Sequence, residues 1–218
     1  QENVKTGVVI TTHGYNGVYI RQCLECFIRE LPDNFFIVVY INESNDSITI
    51  ALQNSHATSN IQFIYVEDQK KNGGLTGTWN RGIALCVEND CDVIIISNDD
   101  ILFDHSINNI IWQCYNKQNE KCYFAPLTNK PGPNKCKLNM NQYALHPRNI
   151  ESFISKYNNS MVNLNGFFMV FSKNVLITNK FDSIHYFDPS YQFAGNEVEW
   201  FNRFKEKGGV PIIVPKTF

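Results

Sequence analysis

The chain has 218 residues, 43% of them hydrophobic and 18% charged, with a formal net charge of -2. That length and composition suit one globular α/β domain with a substantial core. The charge balance gives no electrostatic footprint for nucleic acid or an anionic membrane surface, and no apolar run approaches the ~20 residues needed to span a bilayer.

Seven cysteines, an odd number, argue against a complete disulfide framework and for a reducing, cytoplasmic setting of a soluble protein. Cys23 and Cys26 form a C-x-x-C, but inside a helical pattern and without a second ligand pair. They are therefore read as reduced, buried thiols. The chain starts with Gln1 and ends at Phe218, and is expected to be a domain of something longer.

Val8-Val9-Ile10 predicts a first strand ending in Thr11-Thr12-His13-Gly14. Asn16 follows as a helix cap. Ile20, Cys23, Leu24, Phe27, Ile28 and Leu31 then recur at helical spacing until Pro32. Phe36 to Ile41 predicts a second strand that runs into the polar turn Asn42 to Ser47, and Ile61 to Val66 a third. The segment from Asn72 to Ile83 is glycine-rich at its start and turns helical towards Val87.

Val93-Ile94-Ile95-Ile96 is too short and too β-branched for a helix and suits a strand buried on both faces. It stops at Ser97-Asn98-Asp99-Asp100. Two adjacent carboxylates at the carboxyl end of a central strand sit where open α/β sheets receive ligands. A hard divalent cation would relieve their mutual repulsion, and the alternative is a polar strand end in which Asp100 or Ser97 caps the following turn. A helix follows with Ile107, Ile110, Ile111 and Cys114 on one face. Strand and helix alternating in this way predict a parallel, doubly wound sheet.

The second half predicts a strand over Tyr123 to Leu127 and a long loop over Asn129 to Asn141. An apolar segment, Met161 to Phe171, makes an antiparallel or mixed addition to the sheet. A helix from about Asn196 carries Trp200, Phe201 and Phe204, and Val210 to Val214 forms a last strand. The whole is expected to be a single domain, residues 1–218, with a nucleotide-binding half (about 1–104) and an acceptor-binding half (about 105–218).

Four segments in order resemble family-2 glycosyltransferases of the GT-A fold. Ile41 to Asp46 is similar to the family's acidic turn, and Asn72, Gly74, Leu75, Thr76, Asn80, Gly82 and Ile83 match its N-x-G-L-S-x-A-x-N-x-G-I pattern. Ser97 to Asp100 resembles its D-x-D or N-N-D strand end, and Phe187 to Trp200 with Arg203 echoes its F-D-E-x-F-F-x-x-G-E-D segment. The resemblance implies an inverting transfer from a UDP-sugar, UDP-glucose by default, to a glycan or glycoprotein hydroxyl.

It also implies site residues. Asp99, supported by Asp100, would hold Mn2+ or Mg2+ on the diphosphate. Thr11, Thr12, His13 and Asn98 lie where the fold receives the nucleotide, and Glu43 would accept from the uracil or ribose. Gly73, Gly74 and Gly77 would permit its close approach, with Thr76 and Asn80 beside them. Arg81 would meet phosphate oxygens, and Lys70-Lys71 is read first as a solvated loop, with phosphate contact as the alternative. Glu197, at the family's catalytic Asp, would be the general base, favoured in its charged form by the first turn of a helix. His185 and Trp200 are read as packed side chains.

Some positions depart from the pattern. Ser97 and Asn98 replace acidic residues, Asn196 replaces the first acid of the E-D pair, and Trp79 stands where Arg is frequent. No histidine follows the last strand, so metal binding is expected to lean on the diphosphate. Three alternatives stay open: a rhamnosyltransferase-type enzyme using a deoxysugar nucleotide, a non-catalytic nucleotide- or carbohydrate-binding module, and a nucleotidyltransferase. The last is disfavoured because no glycine-rich, arginine-containing loop follows the first strand. No G-x-G-x-x-G or G-x-x-x-x-G-K occurs to suggest a dinucleotide oxidoreductase or a P-loop kinase.

Overall fold

The computed structural model describes residues 3–13, 17–43, 47–126 and 166–214. Its centre is a seven-stranded sheet in the order β3-β2-β1-β4-β6-β5-β7. The strands are β1 (Thr6–Thr12), β2 (Phe35–Asn42), β3 (Ile61–Val66), β4 (Val93–Asn98), β5 (Cys122–Pro126), β6 (Phe168–Ser172) and β7 (Val210–Val214). Strands β1 to β4 pair in parallel. β6 runs antiparallel to both β4 and β5, and β7 is parallel to β5. The mixed, doubly wound sheet flanked by helices is the expected architecture.

Helices α1 (Gly17–Glu30), α2 (Ser47–His56), α3 (Gly74–Glu88), α4 (Ile107–Asn116), α5 (Lys173–Thr178) and α6 (Asn196–Glu206) cover the two faces. Alternation along each strand feeds two cores. Val9, Val38, Ile94, Ile96 and Phe171 pack with Trp79 and Ile83 of α3 and Trp200, Phe201 and Phe204 of α6. Val8, Ile10, Ile37, Ile95 and Val170 pack with Ile20, Leu24 and Phe27 of α1 and Ile107, Ile110 and Ile111 of α4. Trp200 lies 5.0 Å from the Phe171 ring and 4.7 Å from Phe204, and is core, as expected.

Two helices were not legible. In α2 only Thr49 and Leu52 are buried, so it carries too little apolar periodicity to stand out from polar turn residues. Six-residue α5 depends on a cap, with the Ser172 hydroxyl accepting from Val175 N at 3.2 Å. The glycine-rich stretch is also helical earlier than expected, from Gly74 onward. Asn16 as a cap, the turn residues 44–46, the loop at 129–141 and residues 161–165 lie outside the described residues. Among the described residues no helix is long and apolar enough to cross a membrane, and six cysteines are free, buried thiols.

Candidate active site

Parallel pairing sets the ends of three strands side by side. Thr11 aligns with Tyr40 of β2 and Asn98 of β4, and Thr12 aligns with Ile41. Thr11, Thr12 and His13 thus share one sheet edge with Asn42-Glu43 and with Asn98-Asp99-Asp100, the edge at which α/β sheets take ligands. Asp99 is half-buried and Asp100 exposed. Burial raises the Asp99 carboxyl above its ordinary range. A hydrogen bond with the Thr12 side chain draws it back, Asp100 beside it pushes it further up, and His13 lowers it slightly.

Among the described residues no cluster of three or more His, Cys, Asp or Glu forms a closed metal site. Two adjacent carboxylates nevertheless fit a hard cation that completes its shell with substrate oxygens and water. The backbone here is pinned from below. The Asn98 carbonyl accepts from the Ser97 hydroxyl at 2.8 Å and from the Cys23 thiol at 3.5 Å. Burial pushes the Cys23 and Cys26 thiols up, so neither is a ready thiolate ligand.

Glu43 has φ 54°, rare for a residue with a side chain. Its carboxylate accepts from Gln69 N at 2.7 Å, tying the end of β2 to the approach to α3. The structure therefore gives this carboxylate a turn-stabilising task.

The residues at the start of α3 pack closely against other parts of the chain. Gly74 has φ 66°, and a Cβ there would sit 2.6 Å from the Gln192 carbonyl oxygen. Gly73, at φ 82°, lets the chain enter the helix, and a Cβ on Gly77 would collide with the Asn72 carbonyl. Close approach is thus required by the chain itself.

Thr76 N donates to Gln192 O at 3.1 Å. The Thr76 hydroxyl donates to the Tyr191 carbonyl and accepts from Asn196 Nδ2 at 3.0 Å. One turn later, Asn80 donates to Phe187 O at 3.0 Å and accepts from Tyr186 N at 2.9 Å and Phe187 N at 2.8 Å. Thr76 and Asn80, which the resemblance places beside the nucleotide, are both buried, and their side chains engage residues 186–196. Removing the Asn80 amide strands three buried backbone groups at ~1–3 kcal/mol each. Asn80→Ala is therefore expected to cost on the order of 3 kcal/mol in urea unfolding, with little change in slope.

Arg81, proposed for phosphate, donates to Asn72 O at 2.8 Å, and Lys71 pairs with Asp68 at 3.3 Å on the surface.

Residues 186–196 deliver the second carboxylate. Gly195, at φ 80°, precedes α6, and Glu197 and Glu199 fall in its first turn. Glu199 accepts from Arg203 Nε at 2.8 Å, and Arg203 also donates to the Tyr186 carbonyl at 3.2 Å. Glu197, half-buried, points elsewhere. A Cβ built on Gly166 would lie 3.0 Å from its carboxyl carbon, so the two residues are in close contact and a larger side chain there would press on the carboxylate. The adjoining Phe167 carbonyl accepts from Asn98 N at 2.9 Å, and Phe168 registers with Ser97. A short path through the start of β6 therefore brings Glu197 to the edge that holds Asp99.

His185 is occupied with Asp182, its Nδ1 2.7 Å from Oδ2. That contact and two backbone amides hold the Asp182 carboxyl down at about 2. Sequence reading missed the Thr76–Asn196 contact, and it placed Gly166 at the start of the acceptor-side strand without its contact with Glu197. The unusual Asn at 196 was the available signal for the first, and no local pattern marks the second.

Residues 7–176 match the family model described as glycosyl transferase family 2. No curated protein sequence gives a significant match. Among solved structures the chain is similar to S. aureus TarS 1-349, with a TM-score of 0.64 and 13% identity over 97% of this chain and 58% of that one. The crystal structure of that protein in complex with UDP gives a TM-score of 0.65 at 11% identity, with the same coverage. The mannosyltransferase PcManGT from Pyrobaculum calidifontis, in complex with GDP-Man and Mn2+, gives 0.63 at 12% identity over 97% of this chain and 54% of that one. The chain thus spans less than two thirds of the length of these structures, and the likeness shows a common fold. With the family model matching well over half of its residues, the chain belongs to glycosyl transferase family 2.

Proposed function

We propose that the chain transfers a sugar from a nucleoside-diphosphate sugar, with UDP-glucose the first donor to test, to a hydroxyl of a glycan or glycoprotein, inverting the anomeric centre. The acceptor oxygen attacks the anomeric carbon as its proton passes to Glu197. The bond from that carbon to the phosphate oxygen breaks, and its electron pair leaves with the nucleoside diphosphate. Asp99, backed by Asp100, would hold Mn2+ or Mg2+, which when bound supplies charge neutralisation at the departing diphosphate. Thr11, Thr12, His13 and Asn98 line the nucleotide end of the same edge.

The observation that carries this reading is the path from the Glu197 carboxylate through Gly166 and Phe167 to Asn98. It supports a base and a diphosphate site on one cleft. The UDP and GDP-Man complexes of proteins with this fold support the donor class.

The test is thermal melting with UDP-glucose, UDP-N-acetylglucosamine, GDP-mannose and dTDP-rhamnose, each with and without Mn2+, followed by release of nucleoside diphosphate. Ligand at ~100 times its dissociation constant adds about 2.7 kcal/mol, or roughly 5–11 °C for a domain of this size. A shift that needs Mn2+, with diphosphate release, supports the proposal. A shift without turnover points to a binding module, and no shift with any donor overturns the proposal.

A further inference from the structure

We infer that Thr76 and Asn196 form a positioning pair through which α3 fixes Glu197 for proton transfer. The inference rests on the transferase reading above. Geometry dictates the chemistry of the pair. The Thr76 hydroxyl has one proton, which it gives to the Tyr191 carbonyl, so its partner at position 196 must be a donor. Asn196 Nδ2 supplies that donor at 3.0 Å, while its Oδ1 accepts from Glu197 N at 2.9 Å.

An ionised carboxylate at 196 could accept from Glu197 N but could not donate to Thr76. The amide does both, and this explains a neutral side chain where the family pattern has an acid. Both residues are fully enclosed, Thr76 at 0% and Asn196 at 1% exposure, so water does not substitute for either contact. Gly74, whose missing Cβ admits the Gln192 carbonyl, draws the same loop against α3. Gly195 would otherwise let the start of α6 swing. A displacement of about 1 Å at a reacting group is enough to cost ~10²-fold.

The experiment is a cycle of Thr76→Val and Glu197→Gln, read by nucleoside diphosphate release from whichever of the four donors the parent turns over, and by calorimetric donor affinity. Acting through Glu197, Thr76→Val should lower kcat ~10–10²-fold with donor Kd within about two-fold, and Thr76→Ser should recover most of the loss. In the Glu197→Gln background the same substitution should cost less than about three-fold, since its target is already disabled.

Equal fold losses in both backgrounds, or a loss confined to donor Kd, would make the pair mere scaffold and overturn the inference. Should Thr76→Val not fold, Asn196→Ala is carried through the same cycle, and failure of both to fold also reduces the pair to scaffold. A Glu197→Gln enzyme with full turnover, or a parent inert to every donor, defeats the underlying transferase reading. Additive losses beside a crippled Glu197→Gln defeat this inference alone.

Discussion

Glu197→Gln is expected to lower turnover ~10²–10⁴-fold while leaving donor affinity within about two-fold. The amide has nearly the shape of the carboxylate, so it fits beside Gly166, where a Cβ would lie 3.0 Å from the carboxyl carbon. It cannot take the acceptor proton. Its neighbour Glu199 cannot stand in, being bound to Arg203 at 2.8 Å on another side of the helix. Loss of a charge from the first turn of α6 removes only ~0.3–1 kcal/mol of helix stabilisation, too little to unfold the domain. Single-turnover release of nucleoside diphosphate, beside a calorimetric titration, separates the two quantities. Unchanged turnover with tight donor binding would remove Glu197 from the chemistry.

Asp99→Asn should act with opposite signs on stability and activity. Burial raises the Asp99 carboxyl, so the folded, metal-free protein holds its charged form at a cost. That cost is absent below the ordinary carboxylate range and grows as pH rises through the raised value. Under chelator the variant should therefore melt above the parent at neutral pH, and the difference should close in acid, where the parent's Asp99 is protonated in the folded and the unfolded state alike. Loss of the carboxylate removes part of the charge neutralisation at the diphosphate, worth several kcal/mol in such sites, or ~10²–10³-fold in kcat/KM. Melting curves at several pH values with and without Mn2+, together with donor kinetics, check both halves. A variant that is less stable at neutral pH and fully active would show that Asp99 is an ordinary strand cap.

The sheet was readable because its strands are buried on both faces and leave unbroken β-branched runs, as in Val93 to Ile96. The candidate site was proposed from the carboxylates at the end of that strand, where open α/β sheets take ligands. What sequence could not show was the direction in which polar side chains turn. Thr76 and Asn80 match a glycosyltransferase pattern equally well whether they meet a nucleotide or the backbone of residues 186–196. The contacts with residues 186–196 arise because α3 packs against that segment, and spacing along one helix says nothing about its neighbour. Glu43 is a similar case, since a carboxylate after a strand serves a ribose or a nearby amide, and Gln69 N takes it. The place of Glu197 in the first turn of its helix was readable, whereas its closeness to Gly166 comes from long-range pairing.

The antiparallel insertion of β6 between β4 and β5 has a consequence for how the molecule is made. Strands β1 to β4 can associate as soon as each leaves the ribosome, because every partner is already present. β5 and β7 reach the sheet only through β6, and Ser97 waits for Phe168 before the β4 edge closes. Both this pairing and that of Thr6 with Val93 close long loops, so it is the order of synthesis that places β6 last of the two. The strand end that carries Asp99 is thus made well before α6, the helix that carries Glu197.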